Sequence, residues 1–265
     1  MATTHVDLDN ERMAVEGLES FAATVNGYYL PFTREHDIRR VPIGRVASAK
    51  IVPLEDGEFA IEGTVEVFEE SDTASSLRGD GRRIRIETNK SVLFDVGYDR
   101  SYETPEGRQL LASLARLSPQ ASSTEQAKKS VEPISTLTIA MYVGGAIAIG
   151  ALQTLGADLY AGLKDILKKH FLSSKSSEER LLDFHFTTTW QGQDVDVHVV
   201  LTNPTQEELE MLFASGFVDV DTFLANCQGG DLARFVFEYK EGRLECLYIL
   251  RGDCVPLQIR RTIRN

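Results

Sequence analysis

Apolar and polar positions alternate along much of the first hundred residues. The clearest stretch is Ala60 to Phe68, where Ile61, Val65 and Val67 interleave with Glu62, Thr64 and Glu66. A period of two is the mark of a strand with one face buried. Strands are predicted at Gly27–Phe32, Gly44–Leu54, Phe59–Phe68, Arg83–Thr88 and Ser91–Tyr98, separated by turn-forming groups such as Glu55-Asp56-Gly57 and Gly79-Asp80-Gly81. Short strands joined by tight turns point to a small β-barrel or sandwich. A helix follows from about Thr104 to Leu117, with Pro105 in its first turn.

The pattern then changes abruptly. From Pro133 to Ala157 the chain carries no charged side chain. A run of that length is enough to cross a hydrocarbon core, which takes roughly 20 apolar residues in a helix. Thr136, Ala140, Gly144 and Ala148 recur every four residues, with Gly145 and Gly150 nearby, and such a stripe of small residues lets helix backbones approach closely. Beyond it Leu155, Leu159, Leu163, Ile166, Leu167 and Phe171 share one helical face, opposite Asp158, Lys164, Asp165 and Lys168. The expectation is one central hydrophobic-to-amphipathic helix over 134–172, serving as a transmembrane anchor, an assembly element, or a buried core helix. Its mid-chain position excludes a cleaved signal peptide.

After a polar hinge, Ser173–Glu179, strands are predicted at Leu182–Trp190 and Val195–Thr202. A helix capped by Asn203 with Pro204 at its first position follows, then a short helix at Asp219–Asn226 and a hairpin, Ala233–Tyr239 and Leu244–Leu250, around Glu241-Gly242. That order is α+β. The expected organisation is a β-rich domain at 1–118, a linker at 119–133, the central helix at 134–172 and an α+β domain at 173–265.

Charge narrows the choice of partners. Lys and Arg total 28 against 40 Asp and Glu, a formal charge of -12, which opposes binding to phosphate backbones and argues against a nucleic acid partner. The three cysteines, Cys227, Cys246 and Cys254, follow no zinc or redox spacing and no secretion signal is present, so cytoplasmic domains are expected, with the central helix as a means of attachment to the inner membrane.

The segment LPFTREHDIRRVPIGRVASAKIVPLEDGEFAIEGTVEVF, Leu30 to Phe68, holds a His-Asp pair, a spacer, Pro-Ile-Gly, a strand, a Gly turn and a second alternating strand. It resembles the start of the phage prohead serine proteases of the HK97 type, over residues 25–102. The resemblance implies a herpesvirus-protease-like barrel with His36 in the catalytic group. The nucleophilic serine of that family falls in a strand matched here by VLFDVGYDR, Val92 to Arg100, where Asp95 stands in its place. A carboxylate cannot make the hydroxyl attack that an imidazole activates, and Ser91 and Ser101 lie off the matching position. The resemblance therefore implies a protease-like domain without peptidase activity, serving recognition of a peptide or protein.

Other candidate chemistry is sparse. His185 and His198 fall on neighbouring predicted strands and can face each other, but no third ligand has a defined spacing, so no metal and no cofactor is expected. Arg78-Gly79-Asp80 and Arg251-Gly252-Asp253 sit at predicted turns, where Gly and Asp belong anyway. The sequence thus reads as a non-catalytic, self-assembling or membrane-associated protein, with a layout that suits a sensor–effector of bacterial and phage conflict. The alternatives are a serine hydrolase using His36 with a displaced nucleophile, and a purely structural assembly protein.

Overall fold

The computed structural model describes residues 3–6, 12–35, 37–68, 79–86, 94–98, 100–117, 121–125, 134–142, 157–172, 179–257 and 261–262. They fall into two compact units, the first formed by Met1–Arg34, Val41–Arg85 and Leu250–Leu257, the second by Glu35–Arg40, Ile86–Ile249 and Gln258–Asn265.

In the first unit, helix α1 (Val15–Gly27) packs on an antiparallel sheet of β1 (Leu30–Phe32), β2 (Gly44–Pro53) and β3 (Phe59–Val67), in that order. Leu18, Ala22 and Val25 of the helix meet Ala49 and Ile61 of the sheet, and these five residues form the core of the unit. The β2–β3 pairing runs from Gly44 opposite Val67 to Pro53 opposite Phe59, with a bulge between Val46 and Ser48. Three of the expected strands are present as β1, shortened to Leu30–Phe32, β2 and β3, but the sheet is open, and no closed barrel occurs among the described residues. The expected strand Arg83–Thr88 is reduced to a single bridge from Ile84 to Tyr29 over its described part.

The second unit is built on a mixed sheet containing β4 (Phe94–Tyr98), β5 (Ala121–Glu125), β6 (Ile134–Tyr142), β7 (Glu179–Trp190), β8 (Gln193–Thr202), β9 (Leu232–Lys240) and β10 (Arg243–Arg251). Their order is β10-β9-β8-β7-β6-β4-β5. The helices are α2 (Pro105–Ala115), α3 (Ala157–Ile166, continued by a wider turn over Leu167–Phe171), α4 (Gln206–Met211) and α5 (Phe217–Asn226). Phe184 meets Phe213 and Phe217 edge to face, with ring centroids 5.5 and 5.6 Å apart, and Trp190 donates its indole N–H to the Leu224 carbonyl at 2.9 Å. These aromatic contacts fix α5 and the turn before it against the sheet.

The central helix expected over 134–172 is not formed. Residues 134–142 are the strand β6, antiparallel to β4 and parallel to β7. The reason lies in the alternation of Leu137, Ile139 and Met141 with Thr136, Thr138 and Ala140, reinforced by β-branched Ile and Thr. A spacing of four places residues on one side of a helix and equally on one side of a strand, so the small-residue stripe does not distinguish the two. Over 134–142 the absence of charge follows from the place of β6 inside the sheet, where Leu137, Thr138, Ile139, Ala140 and Met141 are all buried. The next helix among the described residues begins at Ala157, and over its described part the expected apolar face has Leu163, Leu167 and Phe171 buried. Among the described residues no helix is long and apolar enough to cross a membrane. Gly144, Gly145, Ala148 and Gly150 lie outside the described residues; Ala140 is a buried sheet residue and no part of a helical stripe.

One helix start also differs. The cap expected at Asn203 belongs to Thr205, whose hydroxyl accepts the Glu208 N–H while Glu208 returns a bond to the Thr205 N–H, a complete capping box. Asn203 instead takes a left-handed conformation, φ 45, and its side-chain carbonyl accepts the Arg180 N–H at 2.9 Å.

Candidate functional site

Strands β7 and β8 each carry the triplet Asp-x-His: Asp183-Phe184-His185 and Asp196-Val197-His198. Because side chains alternate, each triplet puts its Asp and its His on one face and its central apolar residue on the other. The antiparallel register sets His185 directly opposite His198. Each aspartate then lies diagonal to the histidine of the other strand, within reach of it.

The result is two crossed His–Asp couples. A carboxylate can only accept, so His198 donates from Nδ1 to Asp183, at 3.2 and 3.1 Å from its two oxygens, and His185 donates from Nε2 to Asp196 Oδ1 at 3.1 Å. The two imidazoles stack face to face with centroids 4.3 Å apart and planes 5° from parallel. Thr138 of β6 donates to Asp183, and Thr187 of β7 donates to Asp196 at 3.3 Å. Arg234, which the parallel β8–β9 register places beside Asp196, donates to its Oδ2 at 3.1 Å. Ala140 flanks His185 on the β6 side.

Three members are buried, Asp196 at 2 % exposed, Asp183 at 4 % and His198 at 7 %, while His185 and Arg234 are partly exposed. Burial is the largest influence on the Asp196 carboxyl and favours its protonation. The hydrogen bond and charge of His185, with the charges of Arg234 and His198, outweigh it and hold the group well below the usual carboxylate range. For His198 burial is again the largest influence and pushes the imidazole below its ordinary value, His185 and Arg234 acting in the same sense and Asp183 against them. A neutral His198 with its proton on Nδ1 carries a lone pair on Nε2. That nitrogen is buried and has no hydrogen-bond partner among the described residues.

Chemically this is a set of metal-ligand type. His185, Asp196 and His198 each offer one donor atom, and the three atoms lie within 4.8 Å of one another. No third ligand has a defined spacing in the sequence, because Asp196 stands two residues before His198 and reaches His185 only through the pairing register.

Of the residues singled out by the protease resemblance, Asp95 and Ser101 are described and neither belongs to this cluster. His36 and Ser91 lie outside the described residues. Asp95 belongs to β4, opposite Ala140, on the rung that continues to His185 and His198. Ala140 stands between, so Asp95 is two strand spacings from His185, roughly 10 Å. Its carboxylate accepts the Val96 N–H at 2.9 Å. Ser101 is hydrogen-bonded to Ser135. The two Arg-Gly-Asp strings have local roles over their described parts: Asp80 binds Tyr29 and Arg82, and Asp253 binds Arg251 at 2.6 Å.

No family model, curated protein or solved structure matches this chain.

Proposed function

We propose that this chain is a recognition and assembly protein, working by binding to protein partners in the cytosol rather than by making or breaking bonds. The observation that carries the reading is how the second unit commits its reactive groups. Asp183 and Asp196 each accept from an imidazole and a threonine hydroxyl, and Asp196 from Arg234 as well, so their hydrogen bonds go to fixed neighbours. The Cys246 thiol is pushed up to about 12, chiefly by burial, and burial raises Cys227 as well, which keeps both far from the thiolate that nucleophilic attack requires. The formal charge of -12 favours protein over nucleic acid as partner. In this reading the first unit, an open sheet rather than a peptidase barrel, serves recognition.

The test is a fluorophosphonate activity probe applied to the full chain and to His36→Ala and Ser91→Ala variants, together with light scattering of the unlabelled protein. No labelling, and a mass in multiples of the 29.5 kDa chain, are expected. Labelling abolished by either substitution would establish a serine hydrolase and overturn the reading, and a mass of one chain at all concentrations would remove self-assembly from it.

A further inference from the structure

We infer that the crossed His–Asp cluster is a binding site for one divalent first-row transition metal ion of the zinc type, held by His185, Asp196 and Nε2 of His198. The inference is independent of the recognition reading.

Three features converge on it. The donor set is two imidazoles and one carboxylate, a composition that suits zinc and its first-row neighbours and disfavours calcium or magnesium, which take all-oxygen surroundings. The supporting residues are those a metal-bound imidazole uses. His198 donates its far nitrogen, Nδ1, to Asp183, and Asp183 is itself held by Thr138, an arrangement that fixes the ring and leaves Nε2 as the ligating atom. Arg234 in the same way steadies Asp196 through Oδ2, leaving Oδ1 toward His185.

The third feature is an unsatisfied group. His198 Nε2 is a buried acceptor with no partner among the described residues, in a side chain more than nine-tenths buried. Leaving such a group unpaired is costly, so an occupant is favoured.

Ligand atoms around a four-coordinate zinc stand roughly 3.3–3.5 Å apart, given bonds of about 2.0–2.2 Å. The three donors, now within 4.8 Å, therefore close in by about an ångström, and the stacked rings must tilt toward each other. The ion takes the position of the proton shared by His185 and Asp196, moving that proton to the other ring nitrogen of His185. Three protein ligands leave a fourth position for water or for an atom of a partner.

The experiment uses the tag-free full chain, stripped with chelator and titrated with Zn²⁺ by calorimetry and with Co²⁺ by visible absorption. One equivalent of Zn²⁺ per chain is expected. Co²⁺ should give d–d bands without the thiolate charge-transfer band that cysteine ligation would add. His198→Asn and Asp196→Asn should abolish the high-affinity event, and Asp183→Asn, outside the ligand set, should weaken it by about 10- to 100-fold. His185→Gln serves as a ligand variant should either of the first two fail to fold. No saturable binding, binding unchanged in the ligand variants, or a thiolate band would each overturn the inference.

Discussion

Each unit holds a knot of charge, partly exposed in the first and mostly buried in the second, and the two are built on opposite principles. In the first unit the Tyr29 ring lies between two guanidiniums, Arg45 at 4.2 Å and Arg82 at 4.5 Å, and its hydroxyl donates to Asp80 at 2.8 Å. Arg45 goes on to Glu66 and to the Asp253 carbonyl, and Arg82 to Asp80 and the Ala47 carbonyl. Donors and acceptors there close on one another around an aromatic face, which ties separate chain segments together. In the second unit the charges are arrayed on neighbouring strands, and one imidazole nitrogen is left with a lone pair and no partner among the described residues. A closed knot holds a fold together, whereas a knot with one open valence has room for a ligand.

The sharpest way to break that comparison is at Asp196. Asp196→Ala removes the partner of both Arg234 and His185 inside the sheet, and breaking a buried ion pair from one side costs about 3–5 kcal/mol. Denaturant unfolding of the metal-free chain should show this loss. In the first unit, Tyr29→Leu keeps an apolar side chain but forfeits two cation–π contacts, about 0.5–1 kcal/mol each, and a matching shift in the urea midpoint is expected. Thr205→Ala lies outside both knots and removes the α4 cap, for about 1 kcal/mol, giving a scale for an ordinary local loss.

The smallest effect is one of pH. Burial, the largest influence on Asp37, raises its pKa, but the hydrogen bonds and charge of Arg39, with the charge of Arg40, prevail and the carboxyl is held below its usual value. A depressed folded value means that stability is fully present above about pH 4 and is lost as pH falls, because the unfolded chain takes up the proton first. Asp37→Asn should therefore destabilise the protein near neutrality, and the difference from wild type should shrink in acid, at no more than about 1.4 kcal/mol per pH unit. A difference that is constant from pH 7 to pH 2 would show that the Asp37–Arg39 pair does not set acid sensitivity.

What the sequence made legible followed from period-two patterns with clear ends. The strands around Gln191 and the hairpin at Glu241-Gly242 were readable because β-branched and aromatic residues alternate between turn residues; both turns use left-handed backbone, with φ 49 at Gln191 and 74 at Gly242. Two things were hidden for physical reasons. The charge-free run was compatible with a helix because a four-residue repeat fits either geometry, and only pairing with β4 and β7 decides for a strand. The site was half visible: His185 and His198 could be placed face to face, but Asp183 and Asp196 acquire their roles from strand register, which is a long-range property. The repeated Asp-x-His triplet was the signal that could have found them. The α4 cap is also written in the sequence as Thr205-x-x-Glu208, directly after the Asn203-Pro204 pair.

The most direct measurement is anomalous diffraction at the zinc edge from crystals of the full chain soaked in Zn²⁺. The account predicts one strong peak on the polar face of the sheet, about 2.0–2.2 Å from an oxygen of Asp196 and from one ring nitrogen each of His185 and His198, with Asp183 still bound to His198 Nδ1. A cluster that stays empty while zinc occupies other sites, or residues 134–142 in a helix instead of between β4 and β7, would contradict it.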